Sequence, residues 1–181
     1  MRHKESDLQI KCVRWFRYQY PQYAMLLTHP INEGNGNRIS GAIHKAEGAV
    51  PGVPDLLLFM PALFEEESDE PVTHCHVMNG TAKQWTDYSH YVTCFGLGIE
   101  MKEEKGRQSQ AQKDFQKMFE AAGYMYVVVR SLESFQELIN NYIAHTPGDD
   151  RRRIASAHVE IEQAATAKAR EQFKDLLKPR K

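Results

Sequence analysis

Hydrophobic residues recur at helical spacing in four segments of the chain. In the first segment, Leu8, Cys12 and Phe16 lie four residues apart, which places them on one face of a helix. The four predicted helices cover residues 5–20, residues 106–123, a segment that begins with a Ser131 cap, and a less regular segment that begins at Arg151.

Alternating or continuous apolar runs predict the strands. Phe95, Leu97, Ile99 and Met101 alternate with Gly96, Gly98, Glu100 and Lys102, which is the period-two pattern of a strand with one face in the core. We expect the two glycines to leave room for the first helix or for DNA. Other strands are predicted at residues 23–29, 56–61 and 124–130, with a hairpin formed by residues 73–80 and 84–94.

The order of these elements predicts an α/β fold with a mixed central β-sheet flanked by helices. We expect one domain over residues 1–147, with a β-hairpin-like insert at about residues 61–93. The stretch "EEESDE" in that insert has the composition of a charged loop. A helical tail is predicted over residues 148–181.

Charge is unevenly distributed although the net charge is only −1. Residues 61–100 carry 7 acidic and 1 basic side chains, whereas residues 151–181 carry 9 basic and 4 acidic ones. A basic tail can grip DNA, pair with a second subunit or simply be solvated. The acidic insert can form a DNA-facing wedge, a dimer contact or a loop ornament, and its charge disfavours DNA.

The same sequence predicts a cytoplasmic protein with no membrane contact. It has no apolar leader segment and no run of the roughly 18 apolar residues that a membrane span needs. The three cysteines are few and unevenly spaced, so we expect reduced thiols. His74-x-His76, with Cys75, Cys94 or His90 nearby, suggests zinc, but the spacing matches no closed zinc module.

Three charged residues fall in or beside predicted strands, where unpaired charges are costly. Asp55 precedes one apolar run, while Glu100 and Lys102 share one side of another strand. Two carboxylates on neighbouring strands offer the oxygen ligands that Mg²⁺ or Mn²⁺ prefers. A lysine beside them can orient or help deprotonate a water that attacks a phosphate. Alternatively, Glu100 and Lys102 form an exposed pair, and Asp55 is a turn residue after Pro54.

Further motifs occur in a recognisable order along roughly residues 5–145. They are "ESDLQ", "RYQYP", "NEG", "KAEGAVPGVPD", "GLGIEMKEEKGRQSQAQ" and "GYMYVVVRS". This order resembles the virus-type replication-repair nuclease (VRR-NUC) family of the PD-(D/E)xK nuclease superfamily, particularly its stand-alone phage and prophage members. The insert and the tail lie outside the resemblance.

The resemblance implies a restriction-endonuclease-like core and a metal-dependent deoxyribonuclease. The implied metal ligands are Glu5, Asp55, Glu100 and the Met101 carbonyl, and the implied catalytic residues are Asp55, Glu100, Lys102 and Gln112. Two of these residues have plain alternatives. Glu5 can favour the positive end of the helix dipole, and Gln112 completes a capping box with Ser109.

Candidate DNA contacts lie in loops around the motifs: Asn32, Arg38, Lys45, Lys105, Arg107 and Ser109. Ser109 and the free N–H groups of its helix start suit a phosphate. Solvent exposure is the plain alternative for each basic residue, and "NEGNGNR" is also an ordinary turn.

The resemblance further implies branched DNA as the substrate, Holliday-junction-like cleavage and a homodimer in a bacterial host or encoded by a phage or prophage. The alternatives are a nuclease acting on linear ends or flaps in genome processing or restriction, and a non-catalytic DNA-binding subunit.

Overall fold

The computed structural model describes residues 4–30, 43–78 and 81–176. The helices are α1 (Lys4–Gln19), a 3₁₀ helix (Pro21–Leu26), α2 (Gln110–Ala121), α3 (Leu132–Ala144) and α4 (Gly148–Leu176). The strands are β1 (Leu27–Thr28), β2 (Leu56–Leu58), β3 (Ala62–Met78), β4 (Thr81–Cys94), β5 (Leu97–Met101) and β6 (Met125–Val129).

The central sheet has the strand order β1-β2-β5-β6. β2 runs antiparallel to both β1 and β5, whereas β5 and β6 are parallel. The parallel pair is joined through α2, because parallel neighbours need a crossover connection. The structure therefore confirms the predicted α/β fold with a mixed sheet flanked by helices.

Both faces of β5 are covered, and every residue of the strand is buried. Leu97, Ile99 and Met101 join Phe16 of α1 and Phe135 of α3 in the main core. The other face of β5 meets α2. A side chain at Gly98 would come within 2.9 Å of both Phe119 and Pro54. The expectation that the glycines make room for α1 or DNA is thus wrong for Gly98, which makes room for α2 and the loop before β2.

Three local predictions need correction. The segment predicted as a strand over residues 23–29 is mostly the 3₁₀ helix. This helix begins at Pro21, and the rings of Tyr20 and Tyr23 stack beside it. The "EEESDE" stretch lies inside β3: residues 65–67 pair with β4, and the rest of the stretch falls within a register shift between Glu67 and Val72. Phe95 lies outside β5 and is 58% exposed.

The predicted insert is a two-stranded antiparallel ribbon, β3–β4, closed at its base by the pair Ala62 and Cys94. α4 contains most of the predicted tail. The division into a domain and a tail remains a prediction. None of the helices in the described ranges is both long enough and apolar enough to cross a membrane. Cys12 and Cys94 are free thiols, and burial raises the pKa of Cys12 to about 12.

Gly52 locks the loop before β2 against the start of α2. Its φ is +89°, and an added Cβ would lie 2.2 Å from the carbonyl oxygen of Ala111. Gly48 has a similar φ of +99° but open space around the same position. A side chain would therefore strain the backbone at both positions, but only at Gly52 would it also clash with a neighbouring atom.

We predict that Gly52→Ala lowers the free energy of unfolding by about 3 kcal/mol, against about 1 kcal/mol for Gly48→Ala. Urea denaturation followed by circular dichroism measures both values. Equal losses in the two variants would show that the contact with Ala111 does not constrain the loop.

Candidate active site

Asp55 lies immediately before β2 and is held from two sides. Its backbone carbonyl accepts hydrogen bonds from His29 Nδ1 at 2.7 Å and from Gln9 Nε2 at 3.5 Å. Its side-chain Oδ2 accepts one from the backbone N–H of Met101 at 2.7 Å. Since β2 and β5 are antiparallel neighbours, this bond places the Asp55 carboxylate at the end of β5, beside Glu100.

Glu100 is a buried carboxylate with three hydrogen-bond donors. Its side chain is 1% exposed, and Lys102 Nζ lies 2.7 Å from Oε1. Gln112 Nε2 donates to the same oxygen, while Tyr126 OH donates to Oε2 at 3.1 Å. Burial raises the pKa of Glu100, and the nearby charge of Asp55 raises it further, against the hydrogen bond from Lys102.

Lys102 provides the positive charge at the centre of this acidic group. Its side chain is 11% exposed, and Nζ also lies 3.8 Å from Glu5 Oε2. Burial lowers the pKa of Lys102, but the hydrogen bond and charge of Glu100 and the charges of Glu5 and Asp55 outweigh it. The pKa therefore stays above its ordinary value, and the side chain is an ammonium ion.

Glu5 reaches the site from the first turn of α1. Its Oε1 accepts a hydrogen bond from the backbone N–H of Glu103 at 3.1 Å. Arg130 NH1 holds the same loop by donating to the carbonyl oxygens of Glu103, Glu104 and Gly106. Glu5 thus has a tertiary role in addition to its favourable place near the helix dipole.

Gln112 performs two functions at once, because its amide has both an acceptor and a donor. Its Oε1 accepts from Ser109 N at 2.8 Å, and its backbone N–H donates to Ser109 Oγ at 3.2 Å. This confirms the predicted capping box. The remaining Nε2 donates to Glu100, so the start of α2 is tied to the buried carboxylate.

The other candidates lie around this centre or outside the described residues. Lys105 lines a groove of about 380 Å³ together with Lys102, Glu5 and Arg130. Arg107 and Ser109 are exposed on the loop before α2, and Lys45 is exposed in a helical turn at residues 43–46. Asn32 and Arg38 fall outside the described residues, as do the side chains of His74, Cys75, His76 and His90.

Sequence reasoning missed three residues that hold the site together. In the sequence, Tyr126 is one aromatic residue of a predicted buried strand, and Arg130 is the polar end of that strand. His29 is the last residue of another predicted strand. Their partners are 24 to 27 residues away in the chain, so no local pattern identified them.

The donor chemistry of this site fits a hard divalent cation. Asp55 and Glu100 interact electrostatically, and Glu5 approaches the same lysine. Among the described residues, Asp55 Oδ1 makes no hydrogen bond, which leaves a carboxylate oxygen for a cation. Among the side chains that the structure describes, no three acidic, histidine or cysteine side chains already form a metal-binding group. In this arrangement, the Lys102 ammonium lies against Glu100.

Comparison with solved structures confirms the fold. A structure named "VRR_NUC domain protein" superimposes with a TM-score of 0.54 at 19% sequence identity. The match covers 81% of this chain and 93% of that chain. No protein-family model matches the chain, and no curated protein matches it. The chain therefore has the restriction-endonuclease-like fold of this neighbour.

Removal of the ammonium should leave Glu100 as a buried carboxylate without its cation. We predict that Lys102→Ala lowers the free energy of unfolding by roughly 3 kcal/mol at pH 8 in the presence of a chelator. The pKa of Glu100 is raised in the folded protein, so its favourable contribution is present at low pH and is lost as pH rises through that pKa. The loss should therefore be smaller at pH 5.

Urea denaturation at both pH values measures this difference. Glu100→Gln/Lys102→Ala is the matched control, because it removes the titrating carboxyl and should remove the extra pH dependence. An equal loss at pH 5 and pH 8 in Lys102→Ala would contradict the prediction.

Gln112→Glu separates the two functions of Gln112. Glutamate can still cap the helix, but it cannot donate to Glu100 and places a second carboxylate beside it. We predict a loss of about 2 kcal/mol in the free energy of unfolding at neutral pH. Gln110→Glu, an exposed glutamine at the start of the same helix, should change it by less than about 0.5 kcal/mol. Thermal and urea denaturation compare the two variants, and similar losses would mean that the bond to Glu100 contributes little.

Proposed function

We propose that this protein is a Mg²⁺- or Mn²⁺-dependent endonuclease that hydrolyses phosphodiester bonds in branched or otherwise structured DNA. The observation that carries the proposal is the buried Glu100–Lys102 pair, with the Asp55 and Glu5 carboxylates beside it. A fold could be stabilised more simply by apolar residues at these positions, since a buried ion pair contributes little net stability. These charged residues are therefore better explained by a catalytic role than by a contribution to stability.

The proposed metal ligands are Asp55, Glu100, the Met101 carbonyl and Glu5. A divalent cation bound there would polarise a phosphoryl oxygen and make water a better nucleophile. Lys102 would orient the attacking water and offset negative charge in the transition state. Gln112 would hold Glu100 in place and reach toward the scissile phosphate.

Basic and polar residues around the site would bind the DNA backbone. Lys105 and Arg107 lie on the loop between β5 and α2, and Ser109 caps the start of α2, whose first N–H groups favour anions. Lys45, Asn32 and Arg38 complete the proposed contacts.

The motifs that resemble VRR-NUC nucleases, together with the VRR_NUC name of the solved neighbour, support this choice of reaction. By analogy with stand-alone members, we propose Holliday-junction-like cleavage by a homodimer, because two symmetric sites suit two strands of a symmetric junction. A cytoplasmic location in a bacterial host, with a phage or prophage origin, accords with that role.

The test is cleavage of labelled four-way junction, flap, single-stranded and linear duplex DNA with Mg²⁺, Mn²⁺ or a chelator. The wild type should cleave the junction only with a metal ion, and Lys102→Ala should reduce the rate at least about 100-fold. Lys117→Ala, an exposed lysine on α2, should retain activity. Light scattering on the same preparation gives the subunit number.

Glu5→Gln provides a second active-site variant that is less dependent on folding, because the Glu5 side chain is 41% exposed. It should raise the metal concentration needed for half-maximal cleavage. Assays are run at a temperature at which circular dichroism shows every variant to be folded. If the wild type cleaves none of the four DNAs with either ion, the proposed function is wrong.

A further inference from the structure

Two grooves lie along α1, and only one of them belongs to the candidate active site. The second has a volume of about 370 Å³ and is lined by other residues of the same helix together with His29. We call it the α1 groove and define it by Gln9, Ile10, Val13, Arg14, Arg17 and His29.

The α1 groove is positively charged. Arg14 and Arg17 are one helical turn apart and both are exposed. No aspartate or glutamate lines the groove, and neither arginine forms an ion pair with any residue that the structure describes. Two guanidinium groups that have no ion-pair partner among the described residues, in a concave surface, suit an external anion, since arginine matches the paired oxygens of a phosphate.

The α1 groove also ends at the candidate active site. His29 and Gln9, which line the groove, both bond to the backbone carbonyl of Asp55. The side chain of that same residue lies at the end of β5. A polyanion bound in the groove would therefore be separated from the catalytic centre by one residue, Asp55.

We propose that the α1 groove binds backbone phosphates of the nucleic-acid strand that enters the candidate active site. This inference rests on the proposed function for the identity of the anion. Arg14 and Arg17 bind the phosphates, and the apolar surface of Ile10 and Val13 contacts the sugars between them. The contacts read no base sequence, because they involve only the backbone.

Salt dependence of binding provides the test, because each phosphate contact contributes about 0.9 to the slope of log K against log salt. Binding of the full-length protein to a labelled four-way junction is measured in the presence of a chelator. The salt concentration is varied from about 50 to 200 mM, a range over which such slopes change the affinity strongly. Arg14→Ala/Arg17→Ala should reduce the steepness of the slope by about 1.8. Arg14→Lys/Arg17→Lys keeps both positive charges and should retain most of the wild-type slope.

Lys113→Ala/Lys117→Ala is the matched control, since it removes two exposed positive charges from one face of α2. It should leave the slope within about 0.5 of the wild-type value. Arg14→Ala/Arg17→Ala should also raise KM for cleavage while leaving kcat within about threefold, because these residues do not contact the reacting atoms. Circular dichroism should show an unchanged helix content.

Each result distinguishes this inference from the proposed function. If the wild type binds DNA and the arginine variant keeps the wild-type slope, the groove assignment is wrong and the nuclease proposal stands. If the arginine variant loses binding while the wild type cleaves nothing, the groove stands and the nuclease proposal fails. Equally tight, arginine-dependent binding of poly-glutamate would overturn the nucleic-acid assignment, and absence of DNA binding by the wild type would overturn both.

Discussion

The burial of Glu100 is the constraint on which the site depends. A carboxylate at 1% exposure is costly unless donors surround it. Here they come from three parts of the fold: Lys102 follows β5, Gln112 lies in the first turn of α2, and Tyr126 lies on β6. Movement of any one element would leave part of the charge unsatisfied, so the buried carboxylate keeps α2 and the two parallel strands in a single arrangement.

The antiparallel pairing of β2 and β5 explains how a long insertion leaves the site intact. Asp55 and Glu100 are 45 residues apart in the sequence. Asp55 immediately precedes β2 and Glu100 lies in β5, and these two strands are neighbours, with Leu56 opposite Ile99. A short turn could join such strands, and the β3–β4 ribbon takes its place. Its base is fixed by the bond from Leu63 N to His145 O. The length of the ribbon therefore does not alter the distances between the candidate catalytic residues.

α1 connects the chemistry to the surface on which a substrate would lie. Its first turn provides Glu5 beside Lys102, and Gln9, one turn further along, supports the carbonyl of Asp55. Arg14 and Arg17 continue from Gln9 along the α1 groove. Because Cys12 and Phe16 anchor the helix in the core, its charged residues have a fixed direction relative to the sheet.

Elements whose signals are local can be predicted from the order of the residues alone. The four-residue steps of Leu8, Cys12 and Phe16 specify α1, and Ser109 and Gln112 cap α2 across three residues. By contrast, the place of "EEESDE" in a strand depends on pairing of its first three residues with β4, and the hydrogen bond from Tyr126 to Glu100 depends on the packing of β6 beside β5. The physical reason is range: a cap or a helix face is satisfied within one or two turns, whereas strand partners and buried charges are satisfied only by residues that the complete fold brings together.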